Sequence, residues 1–178
     1  MKGSTEEAEW AFSRLVSRHA EYRQIERTGV ASPLARGRHS AGRFRARDAN
    51  AIVDFVAIAE SFSISRLVHI RSIAAGDLLR WAQRKKAWSK HVNVDLASFH
   101  DWGSLMGFVE ARNAIQHGLG RLTDHQLGKY KQEVLGSLDA ANLSRNGDVL
   151  LFSEQDVARC FEVCGGFIEW LDSTAPKP

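Results

Sequence analysis

Trp102-Gly103-Ser104-Leu105-Met106-Gly107-Phe108-Val109-Glu110-Ala111-Arg112-Asn113-Ala114-Ile115-Gln116-His117-Gly118 is the stretch on which the fold turns. At about 100° per residue, Trp102, Leu105, Met106 and Val109 fall on one apolar stripe, while Phe108, Ala111, Ala114 and Ile115 fall on the opposite side. A helix apolar on two sides belongs between its own core and a second surface. Towards its end the first stripe gives way to Glu110, Arg112, Asn113, Gln116 and His117 on one contiguous face. Polar groups in line with a buried stripe need partners or water, so they are expected to line a cleft or an interface. The spacing predicts a helix from about Ser98 to His117, with Gly118 and Gly120 as stop signals.

Working outward, the same periodicity predicts an all-α bundle. Ser4-Thr5-Glu6-Glu7 has the form of a capping box, and Trp10, Ala11, Leu15, Val16, His19 and Tyr22 follow at helical spacing, giving a first helix from about Thr5 to Arg27. Residues 28–47 hold Gly29, Pro33, Gly37 and Gly42 without periodicity and are expected to form a loop or linker. Asp48 is placed to cap a central helix carrying Ile52, Phe55, Val56, Ala59, Phe62, Leu67 and Ile70. A further pattern from Leu78 is expected to end at Arg84-Lys85-Lys86, where cations complement the helix dipole. Thr123 to Ala141 reads as one amphipathic helix, Asn146-Gly147 as the turn of a small β-hairpin, and Ser153 with Asp156 as the start of a last helix. The expected organisation is an extension over 1–47, a helical domain over 48–172 and a frayed tail over 173–178.

The 178 residues suit one domain, and 44% hydrophobic with 25% charged residues is a globular balance. No apolar run approaches membrane-spanning length. The beginning of the sequence has no secretory pattern, so a cytoplasmic setting is expected. Cys160 and Cys164, one turn apart among Phe161, Val163 and Phe167, are read as reduced core residues. No metal site or cofactor is expected. The net charge of +3 says little, but Arg36, Arg38, Arg43, Arg45 and Arg47 form a local basic patch without an acidic residue between them. It either grips RNA backbone or is a solvated tail.

Arginine is a permanent cation that matches phosphate geometry, and imidazole moves protons near neutral pH. Spacing alone is weak evidence, since Arg14 and His19 repeat the same separation in the first helix without an adjacent asparagine, a following glycine or an apolar approach. With those features, Arg112-Asn113-Ala114-Ile115-Gln116-His117-Gly118 resembles the signature of HEPN domains. The close match covers about Phe99 to Thr123, and a looser one about Asp48 to Asp172. The resemblance implies a helical bundle that forms a homodimer with two such motifs facing across a cleft, and metal-independent endoribonuclease activity on RNA in many members. It also places the chain near bacterial toxin and antiphage defence proteins, with an inhibitory antitoxin or regulatory partner.

In that chemistry His117 is the general acid or base and Arg112 stabilises the charged phosphorane-like transition state. Asn113, Glu110 and Gln116 are supporting residues, Asn113 orienting the phosphate or His117 and Glu110 fixing the tautomer of His117 or raising its pKa, and a partner chain supplies the second imidazole. Without the resemblance, Arg112 and His117 read as a structural polar network at a helix end. The alternative function is an inactive module that binds a nucleotide or a partner protein. His69, His91, His100 and His125 are read as solvated or core-satisfied, and Trp10, Trp81, Trp88, Trp102 and Trp170 as core.

Overall fold

A computed structural model describes residues 4–28 and 46–176. The chain is mostly helical, with one small antiparallel hairpin before the last helix, as the sequence predicts. Seven helices occur among the described residues: α1 Glu6–Thr28, α2 Ala46–Arg71, α3 Trp81–Val92, α4 Trp102–Gly118, α5 Asp124–Leu127, α6 Lys131–Ala140 and α7 Glu154–Thr174. The hairpin is β1 Ser144–Asn146 and β2 Val149–Leu151. No helix among the described residues is long and apolar enough to cross a membrane.

The apolar run of α2 explains its central place. Ile52, Phe55, Val56, Ala59 and Leu67 are fully enclosed, and α1, α4 and α7 all pack on this helix. α1 contributes Ala8, Ala11, Leu15 and Tyr22 to the same core. Its start is not closed by a local capping box. The Thr5 hydroxyl and amide instead donate to Asp172 of α7, at 2.5 and 3.1 Å, tying the ends of two helices together. Cys160 and Cys164 are free, buried and 4.0 Å apart. Burial and the neighbouring Cys164 push the Cys160 thiol well above its ordinary value, which keeps it protonated and inert.

Several boundaries differ from expectation for identifiable reasons. Asp48 is not the cap of α2, which begins two residues earlier; its buried carboxylate accepts from the Tyr22 hydroxyl at 2.9 Å and so joins α1 to α2. Arg84-Lys85-Lys86 lies in the first half of α3, because the buried Arg84 is held by the Leu78 and Leu79 carbonyls at 2.9 and 3.0 Å and closes the chain onto its helix. The helix expected over Thr123–Ala141 is broken at Gly128, whose backbone (φ −83°, ψ −130°) leaves the helical region. The hairpin pairs Asn146 with Val149, so its two-residue turn is Gly147-Asp148, and Gly147 supplies the positive φ (+63°) that primed turns require. Trp10 is 57% exposed, not core, with Arg14 stacked over its ring.

α4 is placed by close contact with α6. A Cβ at Gly107 would overlap the Ser137 carbonyl oxygen, so only glycine permits this approach. Beyond α4 the chain turns through Leu119 (φ +52°) and Gly120 (φ +89°). The hairpin fixes this exit, with Leu122 N–H donating to Asp148 O at 2.8 Å and Leu150 N–H to Gly120 O at 2.9 Å.

Candidate active site

The polar face of α4 is divided between two neighbours. Arg112 turns towards α2, where one guanidinium nitrogen, Nη2, lies 2.5 Å from both carboxylate oxygens of Glu60. Its Nη1 donates to Gln116 Oε1, one turn on, at 3.2 Å, and its Nε is buried without a hydrogen-bond partner. Glu60 also receives Arg84 Nη2 at 3.4 Å, and Arg84 stacks over Trp81 at 4.1 Å. Two guanidiniums on one carboxylate leave a formal charge of +1. Burial pulls the Arg84 guanidinium below its ordinary value, Glu60 opposes this, and the nearby Arg112 adds to the lowering.

Glu110, Asn113 and His117 face the other way, into a cleft of about 810 Å³ between α4, α5 and α6. His117 is exposed on the last turn of α4, and Asn113 is half-buried one turn before it. Glu110 is occupied: Gln126 Nε2 donates to its carboxylate at 2.7 Å and to its backbone carbonyl at 2.9 Å. Its carboxylate therefore serves α5 in this structure, where the sequence assigned it to His117. The far wall carries His125, Tyr130 and Glu133, with Arg80 at the rim.

Glu60, Arg84, Arg80, His125 and Gln126 were not among the sequence candidates. Glu60 had a signal: a carboxylate between Ala59 and Phe62, in the most enclosed helix, must find a partner. The others depend on how α3 and α5 fold back, which periodicity does not encode. The Arg14–His19 pair is separated by the fold. His19 stacks on Phe161 with ring centres 4.2 Å apart, and burial, then Arg23, lowers its pKa and favours the neutral ring.

Of the basic patch, Arg36, Arg38, Arg43 and Arg45 lie outside the described residues. Arg47 stands in the first turn of α2, with its guanidinium 4.6 Å from the Tyr22 ring centre and bonded to the Tyr22 hydroxyl at 3.2 Å. Among the described residues no group of three or more His, Cys, Asp or Glu side chains is arranged to hold a metal ion. No family model, curated protein or solved structure matches the chain.

Proposed function

We propose that the chain is a HEPN-type endoribonuclease that cleaves RNA without a metal, acting in the cytoplasm as a toxin or antiphage defence effector under the control of a partner protein. His117 exchanges the proton, Arg112 meets the phosphate, and two protomers face each other so that their Arg112–His117 pairs share a cleft. The observation that carries this reading is His117 exposed beside Asn113 in an open cleft, at the end of the same helix that holds Arg112 in a cluster of net positive charge.

The chemistry asks three things of these groups. A base must take the 2′-hydroxyl proton, a cation must stabilise charge on the phosphoryl oxygens, and an acid must protonate the leaving 5′-oxygen. The products are a 2′,3′-cyclic phosphate and a 5′-hydroxyl. Because Glu60 is shared with Arg84, it does not neutralise the cluster. Nη1 of Arg112 is held by the exposed Gln116, which a phosphate oxygen can displace with a charge-assisted bond.

The Glu60 contact also favours a second reading, in which Arg112 is structural and the cleft binds a nucleotide or partner without reaction. Labelled RNA incubated with purified protein in EDTA separates the two. The ribonuclease reading expects cleavage that is lost in both Arg112→Ala and His117→Ala. Tight binding without cleavage supports the module instead, and cleavage surviving both substitutions removes the site assignment.

A further inference from the structure

We propose that the cleft between α4, α5 and α6 is a base-recognition subsite, which takes an adenine of single-stranded RNA beside the scissile phosphate. The subsite rests on the ribonuclease reading for its place next to the cut, and it leaves the composite site of two protomers as it stands.

The two sides of α4 differ in sign. On the α2 side Arg112 and Arg84 outnumber Glu60, and a phosphate is attracted there. Among the described residues that line the cleft, two carboxylates, Glu110 and Glu133, stand against one guanidinium, Arg80, which leaves a formal charge of −1 with the histidines neutral. Neither carboxylate is paired with a cation among the described residues. A lining of this sign repels phosphate and accepts hydrogen bonds from the N–H groups of a neutral base.

The walls supply what an unpaired adenine needs. Asn113 is half-buried, and its carboxamide has no hydrogen-bond partner among the described residues. A carboxamide sets a donor beside an acceptor, which matches the exocyclic amine and neighbouring ring nitrogen of adenine. Gln126 occupies Glu110 Oε2 at 2.7 Å, so Glu110 Oε1 remains as a further acceptor for the amine. Tyr130, 43% exposed just before α6, offers a ring for stacking. Lys129 Nζ lies over that ring, 5.5 Å from its centre, and the base takes the other face. His125 does not fill the ring's place as a stacking partner, since its plane is inclined by 57° at 6.0 Å. Met106 and Val134 add apolar surface to the lining.

About 810 Å³ holds a nucleoside. Glu110, Asn113 and His117 follow one another on α4 at steps of three and four residues, so they lie one above the next along the helix. A base held at Asn113 therefore has its ribose one turn on, at the exposed His117. The scissile phosphate stays outside the cleft, between the facing Arg112–His117 pairs.

The test is fluorescence anisotropy with a short labelled 2′-O-methyl oligouridylate carrying one adenosine, a strand with no free 2′-hydroxyl to react. Wild type is expected to bind it about tenfold more tightly than the all-uridine strand, or than one with purine riboside, which lacks the exocyclic amine. Tyr130→Ala should lose about tenfold, while Tyr130→Phe keeps the wild-type affinity because stacking needs the ring and not the hydroxyl. Asn113→Asp keeps an acceptor and loses the donors, so adenosine should lose its advantage over uridine.

Affinities for the three strands that agree within about twofold, well below what a paired base edge contributes, overturn the subsite. So does an adenosine preference that survives both Asn113→Asp and Tyr130→Ala. Cleavage of unmodified RNA by the wild type in EDTA then leaves the ribonuclease reading standing. An adenosine preference lost in those variants, in a protein that cleaves no RNA, ends the ribonuclease reading and supports the cleft as an adenine-binding site.

Discussion

Glu60→Ala is the perturbation that tests whether the α2 carboxylate holds Arg112 in place. The side chains of Glu60 and Arg112 are 15% and 20% exposed, and that of Arg84 only 2%. Removing the carboxylate lets Arg112 turn towards water with Gln116, whereas Arg84 stays enclosed with the Leu78 and Leu79 carbonyls and Ser63 Oγ as its remaining acceptors. Breaking a fully buried ion pair costs about 3–5 kcal/mol, and those acceptors place the expected loss near the lower end, at about 3 kcal/mol. For a chain of this length that corresponds to a melting temperature lower by about 6–12 °C. Arg112→Ala leaves Glu60 with Arg84, so its expected loss is smaller, about 1–2 kcal/mol. Urea denaturation followed by circular dichroism measures both. A Glu60→Ala loss below about 0.5 kcal/mol, or smaller than that of Arg112→Ala, refutes the idea that this carboxylate organises the two guanidiniums.

Two further outcomes follow from the packing. Burial, then the bond to Asp48, pushes the Tyr22 phenol up to about 12, above its ordinary 10.0. The folded state therefore holds this proton more tightly, and the stability it contributes is complete below pH 10 and is lost as pH rises towards 12. Tyr22→Phe should reduce that alkaline fall in denaturation experiments and cost about 1–3 kcal/mol at neutral pH through the lost bond to Asp48; an unchanged alkaline profile contradicts it. Gly107→Ala should separate α4 from α6 and cost about 2–4 kcal/mol, since the added methyl also lies 2.6 Å from the Ala141 Cβ. Gly136→Ala in the same helix pair meets nothing within 4 Å and should gain about 0.5–1 kcal/mol, so equal thermal shifts for the two variants contradict the packing account.

What was legible in the sequence was what repeats along it. The two apolar sides of α4, the enclosed run of α2 and the Ser153–Asp156 capping box of α7 all have local signatures, and each marks its element. The polar face of α4 was legible as a face, but its division between Glu60 and the cleft was not, because the direction each side chain takes depends on which helix packs beside it. Arg84 shows the same limit. Its cationic run suggested a helix end, yet tertiary contacts with Leu78, Leu79 and Glu60 put it inside the first half of α3. The place of His125 on the cleft wall was equally hidden, since a four-residue helix held by Gln126 has no periodicity to announce it.

The central claim is a metal-free RNA cleavage that begins with attack by the 2′-hydroxyl at the His117 end of α4. Identification of the RNA ends formed by the purified protein in EDTA tests it most directly. The account predicts 2′,3′-cyclic phosphate and 5′-hydroxyl ends from the wild type and intact RNA from His117→Ala. Cleavage with 5′-phosphate ends, or the same products from His117→Ala, would contradict it.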